Sequence, residues 1–325
     1  ACNDSVTRPD AVTHRAGEAQ LVALAEGDGR VVAVGTRYWY HTDDDGSAYA
    51  PDSDSAVVVW SADARTWQVA ALPKPAGGLF GLAYGNGVFL ASGSIRESGQ
   101  SVAVVWHSTD GSEWQQSTPG VALRSIAFGN GYFVAADGNG VMRSTDGNNW
   151  ERVFQRAALD TEVTFTGNRF VFHGSGGLIA TSPDSHTWQV HVLTSSVRMV
   201  SVLHDGALFL GSGVTASEDI RHFSLRSADG ILWSSLLASG SLPRISTFHE
   251  GRYIALSSAG IFLSTNASDW ELTRPAQQTR AIPEFFYTAT FALGHFIAIG
   301  RGQIATSVNG RTWTTIAAPR WPLEN

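Results

Sequence analysis

A seven-residue pattern, Ser-x-Asp/Asn-x-x-x-Trp, occurs seven times in this 325-residue chain. The copies start at Ser61, Ser108, Ser144, Ser182, Ser227, Ser264 and Ser307. They end at Trp67, Trp114, Trp150, Trp188, Trp233, Trp270 and Trp313, with successive tryptophans 36 to 47 residues apart. A period of that length is one supersecondary unit. Such a unit cannot bury a core alone, so several must stack. The repeat constrains architecture before any other feature does.

The third copy is the clearest. Arg124-Ser-Ile-Ala-Phe-Gly-Asn-Gly-Tyr-Phe-Val-Ala-Ala136 is followed by Gly140-Val-Met-Arg-Ser-Thr-Asp-Gly-Asn-Asn-Trp-Glu-Arg-Val153. Gly129-Asn130-Gly131 separates two apolar runs and predicts a tight hairpin, because Gly and Asn tolerate positive φ. Asp137–Gly140 and Asp146-Gly147 predict two more turns, giving four short antiparallel strands. The hairpin signal recurs at Asp28-Gly29, Asn86-Gly87, Gly167-Asn168, Asp205-Gly206, Glu250-Gly251 and Leu293-Gly294. Thirty-four glycines suit so many turns. No segment carries a capped helical period. The expected fold is all-β: a seven-bladed β-propeller of four-stranded antiparallel blades. The expected blades are 21–72, 79–117, 124–153, 162–192, 198–236, 244–273 and 285–316. Residues 1–20 read as a tether, 21–318 as one domain and 319–325 as a tail. All blades read in phase, so ring closure would fall to the segment before Gln20 or the tail after Ala318.

The repeated motif resembles the Asp box, or BNR repeat, of sialidase-like propellers, over about 300 residues. The copies here are one residue shorter than the usual box. The resemblance implies a turn between third and fourth strands, away from any active site. Turn chemistry agrees: Ser and Asp side chains can hold backbone N–H groups, and Gly takes the left-handed position. The seven Asp or Asn residues are therefore expected to be structural, with the Trp covering a junction between sheets.

A net charge of −7 argues against a nonspecific hold on nucleic acid. No run of 18 apolar residues exists to span a membrane. Cys2 is the single cysteine, so no internal disulfide forms. Ala1-Cys2 resembles the end of a bacterial lipobox, which implies lipidation at Cys2 and an extracytoplasmic, anchored or secreted protein in a cell envelope. Contact with a membrane is expected only through that anchor. A monomer is expected.

Propellers usually work at one mouth of the central channel. Aligning the repeats on the hairpin brings Val22, Phe80, Arg124, Glu162, Met199, Arg244 and Tyr287 to that mouth, with Arg198 beside Met199. Arginine forks bind carboxylate or sulfate, and aromatic rings stack on sugars. True sialidases use an arginine triad, a Tyr–Glu pair and an Asp. The resemblance would cast Arg124, Arg198 and Arg244 as the triad and Tyr287 with Glu162 or Glu284 as the pair. Pro243-Arg244-Ile245 is a weak echo of their signature, displaced to the sixth blade.

Two long loops add candidates. Arg37–Asp54 holds Trp39, Tyr40 and His41 beside Asp43, Asp45, Asp52 and Asp54, a recognition loop whose carboxylates are a possible Ca²⁺ site. No other cofactor is expected. Val214–Phe223 holds His222. His41, His173 and His222 are expected in second-to-third-strand turns, on one face. A His beside Arg or Tyr is the chemistry of a polysaccharide lyase. The favoured expectation is an anchored propeller binding a glycan or envelope protein at its mouth. The alternative is a lyase or glycosidase acting on an acidic polysaccharide.

Overall fold

In the computed structural model the described residues are 13–42, 53–73, 77–193, 197–215, 222–237, 244–277 and 285–317. They form 28 strands in seven four-stranded antiparallel sheets, each built from four consecutive strands. Blade 1 is β1 (Thr13–Gly27), β2 (Arg30–Thr42), β3 (Ser53–Ser61) and β4 (Gln68–Val69). Blade 2 is β5 (Gly78–Gly85), β6 (Val88–Glu97), β7 (Gln100–Ser108) and β8 (Gln115–Ser117). Blade 3 is β9 (Ser125–Gly129), β10 (Tyr132–Ala136), β11 (Gly140–Ser144) and β12 (Glu151–Gln155). Blade 4 is β13 (Glu162–Thr166), β14 (Arg169–His173), β15 (Leu178–Ser182) and β16 (Gln189–Val192). Blade 5 is β17 (Val197–His204), β18 (Phe209–Thr215), β19 (His222–Ser227) and β20 (Ser234–Leu237). Blade 6 is β21 (Arg244–His249), β22 (Arg252–Ser257), β23 (Gly260–Ser264) and β24 (Glu271–Pro275). Blade 7 is β25 (Phe286–Ala292), β26 (His295–Gly300), β27 (Gln303–Ser307) and β28 (Thr314–Ala317). The sheets make a seven-bladed β-propeller.

The hairpins form where the glycines and asparagines foretold. Asn86 and Gly87 sit at φ 50° and 77°, and Asn130 and Gly131 at 51° and 82°. This double positive-φ turn matches the twist of the strands it joins. Blade 5 departs from it: Asp205 caps a longer loop by accepting the N–H groups of Ala207 and Leu208 at 2.9 and 2.8 Å.

The core lies between blades. Among the described residues there are seven hydrophobic clusters, and each draws on two neighbouring sheets. The largest joins blades 1 and 2 around Val32, Val58, Phe89 and Trp106, all fully buried. First strands of successive blades touch one another around the ring. Hydroxyls staple several of them: Ser125 Oγ donates to Val163 O at 3.2 Å, and Ala289 N donates to Ser246 Oγ at 2.7 Å.

The ring closes without strand exchange. Blade 1 packs on blade 7 through Leu21, Val31 and Ala33 against Ile297, Ile299 and Ile304. Gln20 bridges Arg301, and Gly302 N donates to Ala19 O at 2.8 Å. Blade 1 therefore begins before residue 21. β1 starts at Thr13, inside the stretch expected as a tether, because its backbone pairs with an extended β2: His14 with His41, Arg15 with Tyr40, Ala16 with Trp39. Residues 37–42, expected in a loop, are strand for the same reason. Residues 1–12, with Cys2, and 318–325 lie outside the described residues.

Candidate functional site

Strand polarity fixes two ends of the propeller. Every first strand starts at one end, which every second strand reaches and every third strand leaves. The motif turns lie at the other end, between third and fourth strands.

Those turns are structural. Asp63 Oδ1 accepts the N–H groups of Arg65 and Thr66 at 2.8 and 2.7 Å, while Ser61 Oγ donates to the same oxygen at 3.0 Å. The arrangement repeats at Asp110, Asp146, Asp184 and Asp229. It repeats with neutral oxygens at Asn266 and Asn309. Hydrogen bonds from Thr66 and Arg65 hold the Asp63 carboxyl down to about 2. Those from Thr187 and His186 do the same for Asp184, also to about 2. First-to-second-strand turns lock onto these motif turns one blade along. Asn86 Nδ2 donates to Thr145 O at 3.1 Å, and Asn130 Nδ2 to Pro183 O at 2.7 Å.

All ten candidate ligand-contacting residues belong to the opposite end. Arg124 precedes β9, Glu162 opens β13, Arg244 opens β21, and Arg198 and Tyr287 are second in β17 and β25. His173 closes β14 and His222 opens β19, so neither sits in a turn as expected. Trp39, Tyr40 and His41 finish β2, and their side chains lie outside the described part. Asp43, Asp45, Asp52 and Glu284 lie outside the described residues. Among the described residues no group of three or more His, Cys, Asp or Glu is placed to share a metal.

The structure brings part of this set together. Glu162 Oε2 lies 3.6 Å from Arg244 Nη2 and 4.0 Å from His173 Nε2. Arg198 pairs at 2.8 Å with Asp160, a residue the repeat alignment passed over. Arg244 Nη1 donates to the Tyr287 carbonyl at 3.5 Å. The Tyr287 ring packs on Phe285, with centroids 5.1 Å apart. His173 is 1% exposed and stands opposite Glu162 in the β13–β14 ladder. Burial pushes its imidazole pKa down, against the pull of Glu162 and with the push of Arg244. The ring is therefore a neutral, internal group under Glu162.

Other parts stay apart. Arg124 is exposed, lies over its own Asp137–Gly140 turn, and makes no ion pair with the cluster. A triad of Arg124, Arg198 and Arg244 is thus not assembled. His222 makes no hydrogen bond or ion pair with the cluster either. Met199, expected at the mouth, is 1% exposed and packs with Val171 and Ile179. The cause is a β-bulge between Met199 and Ser201, which turns Met199 inward. Equivalent bulges fall at Val22, Phe80 and Tyr287. Phe80 and Phe285 remain 48% and 41% exposed. The start of the first strands is thus ionic over blades 4 to 6 and apolar at blades 7 and 2.

No known family model and no curated protein matches this sequence. Solved structures do match. YCF48 from Cyanidioschyzon merolae aligns with a TM-score of 0.53 at 18% identity, over 76% of this chain and 87% of that one. The WD40 β-propeller domain of Doa1 aligns with a TM-score of 0.50 at 12% identity, over 91% and 96%. A glycosyl hydrolase from Bacteroides ovatus reaches a TM-score of only 0.36 at 10% identity, over 70% and 85%, too loose a likeness to carry an argument. Identities this low speak to the propeller fold alone.

Proposed function

We propose that this propeller is a binding protein, and that its ligand site is the mouth where the first strands start. The ligand is an acidic glycan, or alternatively an acidic segment of a protein partner. One observation carries the reading: Glu162 and Arg244, from blades 4 and 6, meet over the buried His173, the Arg198–Asp160 pair is near enough for the charge of Arg198 to act on that ring, and the Phe285–Tyr287 pair lies beside Arg244. Guanidinium forks recognise carboxylates, and exposed aromatic faces suit sugar rings. Kinship with the Asp-box propellers belongs to the same reading and rests on the seven motif turns. So does placement outside the cytoplasm, which rests on Ala1-Cys2 as a lipidation site. Cys2→Ser should release the protein from membranes, read by fractionation.

Lyase or glycosidase activity has less support. His173, one of the three histidines offered for that chemistry with His41 and His222, is sealed beneath Glu162 and cannot meet a substrate proton. A screen of acidic and neutral polysaccharides, read for binding and for product, tests both readings. Binding without turnover that weakens about tenfold or more in Arg244→Ala is the expected result. Product that disappears in the same variant would make the protein an enzyme. Binding indifferent to Arg198→Ala and Arg244→Ala would move the site away from the mouth.

A further inference from the structure

Glu162 and Arg244 belong to blades 4 and 6, which are not neighbours. Their ion pair, at 3.6 Å, passes over the start of blade 5. Among the described residues the other cross-blade ion pairs join adjacent sheets, as Asp160 with Arg198 and Arg311 with Glu271 do. Both side chains of the Glu162–Arg244 pair stay open to solvent, at 46% and 38% exposure. An open pair of this kind adds little to stability and is readily exchanged for another.

From this geometry we infer that Glu162 is a placeholder: its carboxylate occupies Arg244 until the carboxylate of a uronic-acid glycan takes that guanidinium. The inference rests on the mouth being the ligand site, and it names the ligand class. The exchange is like for like, one carboxylate for another on the same fork. Among the described residues Arg198 is matched by Asp160 and Arg244 by Glu162, one carboxylate for each guanidinium. Turning Glu162 away leaves the Arg244 guanidinium open to another carboxylate. A sugar ring whose carboxylate reached Arg244 would lie beside the partly exposed Phe285–Tyr287 pair.

The test is calorimetric titration of the whole protein with polygalacturonate oligomers, with their methyl esters, and with dextran. Wild type should bind the free acid and neither neutral probe. Glu162→Gln keeps the side-chain shape and removes the charge, and should bind the free acid about fivefold tighter. Glu162→Ala should do the same, which guards against a fault peculiar to one variant. Thermal melting confirms that both variants fold. Unchanged or weaker binding in both variants overturns the placeholder. If Arg244→Ala still abolishes binding in that case, the mouth remains the site. If Arg244→Ala has no effect, the mouth itself is wrong. Equal affinity for the methyl esters, or no binding of polygalacturonate by wild type and Glu162→Gln alike, overturns the ligand class.

Discussion

At the scale of single residues, the motif turn shows what each of its positions is for. Position four is left-handed throughout: Gly111, Gly147, Gly230 and Gly310 at φ 71° to 77°, but Ala64, Ser185 and Ala267 at 57° to 64°. Where it is Gly, the closing indole N–H donates to its carbonyl at 2.8 to 3.0 Å. With Ser185 the bond lengthens to 3.2 Å, and with Ala64 the Trp67 indole N–H is left buried and unpartnered. Space adds to the demand at two of the glycines. A Cβ at Gly147 would stand 2.7 Å from Leu90, and one at Gly111 2.6 Å from Val32. Gly147→Ala should therefore cost about 1–3 kcal/mol, combining left-handed strain with overpacking. Loss of protection at the Trp150 indole N–H, read by hydrogen exchange, is the accompanying sign. The carboxylates set a pH window. Asp63 and Asp184 titrate near 2 in the fold against about 3.9 in an unfolded chain. A lowered folded value means their contribution is complete above about 4 and is lost as pH falls towards 2. Asn266 and Asn309 accept the same N–H groups without titrating. Asp184→Asn should thus fold, and its melting temperature should fall less between pH 4 and pH 2 than that of wild type. An identical acid slope would remove Asp184 from the account.

At the scale of elements, turns were legible and bulges were not. Every two-residue hairpin announces itself through Gly, Asn or Asp, and such a turn also fixes register. Gly167-Asn168 alone dictates that Glu162 faces His173, so that contact was within reach of the sequence once His173 was placed in the strand. A bulge adds one residue with no side-chain signature, and this hid the inward turn of Met199. Asp160 was missed because it precedes the strand and belongs to no motif. Another device was equally hidden. The last residue of several first strands is Gly because an aromatic ring of the next blade lies on its Cα. A Cβ would meet Tyr84 at 2.1 Å from Gly27, Phe128 at 2.1 Å from Gly85, and Phe165 at 2.2 Å from Gly129. The backbone there is ordinary strand, so the demand is for space alone. Gly129→Ala should destabilise by about 2 kcal/mol or more, the cost of driving a ring off a packed position, measured by chemical denaturation. A neutral result would mean the ring moves freely. Trp106, fully buried between blades 1 and 2, should cost about 3–5 kcal/mol as Ala.

At the scale of the whole molecule, stability and recognition occupy different places. The seven cores sit between blades, so no blade is stable without its neighbours. They are unequal. Among the described residues the junction of blades 5 and 6 has five buried hydrophobic residues, while that of blades 1 and 2 has thirteen. Backbone amides of β21 and β22 should accordingly exchange before those of β5 and β6 in native-state hydrogen exchange. The motif turns stitch one end of the ring, which leaves the other free to carry the ionic cluster of blades 4 to 6. The motif's seven copies made the ring legible. The site is built from residues that differ from blade to blade, and repetition says nothing about those. The most direct test of the account is hydrogen-exchange footprinting of the protein with saturating polygalacturonate. The account predicts protection confined to the starts of β13, β17, β21 and β25 and the end of β14. Protection at the motif turns instead, or none at the mouth while the ligand is bound, would contradict it.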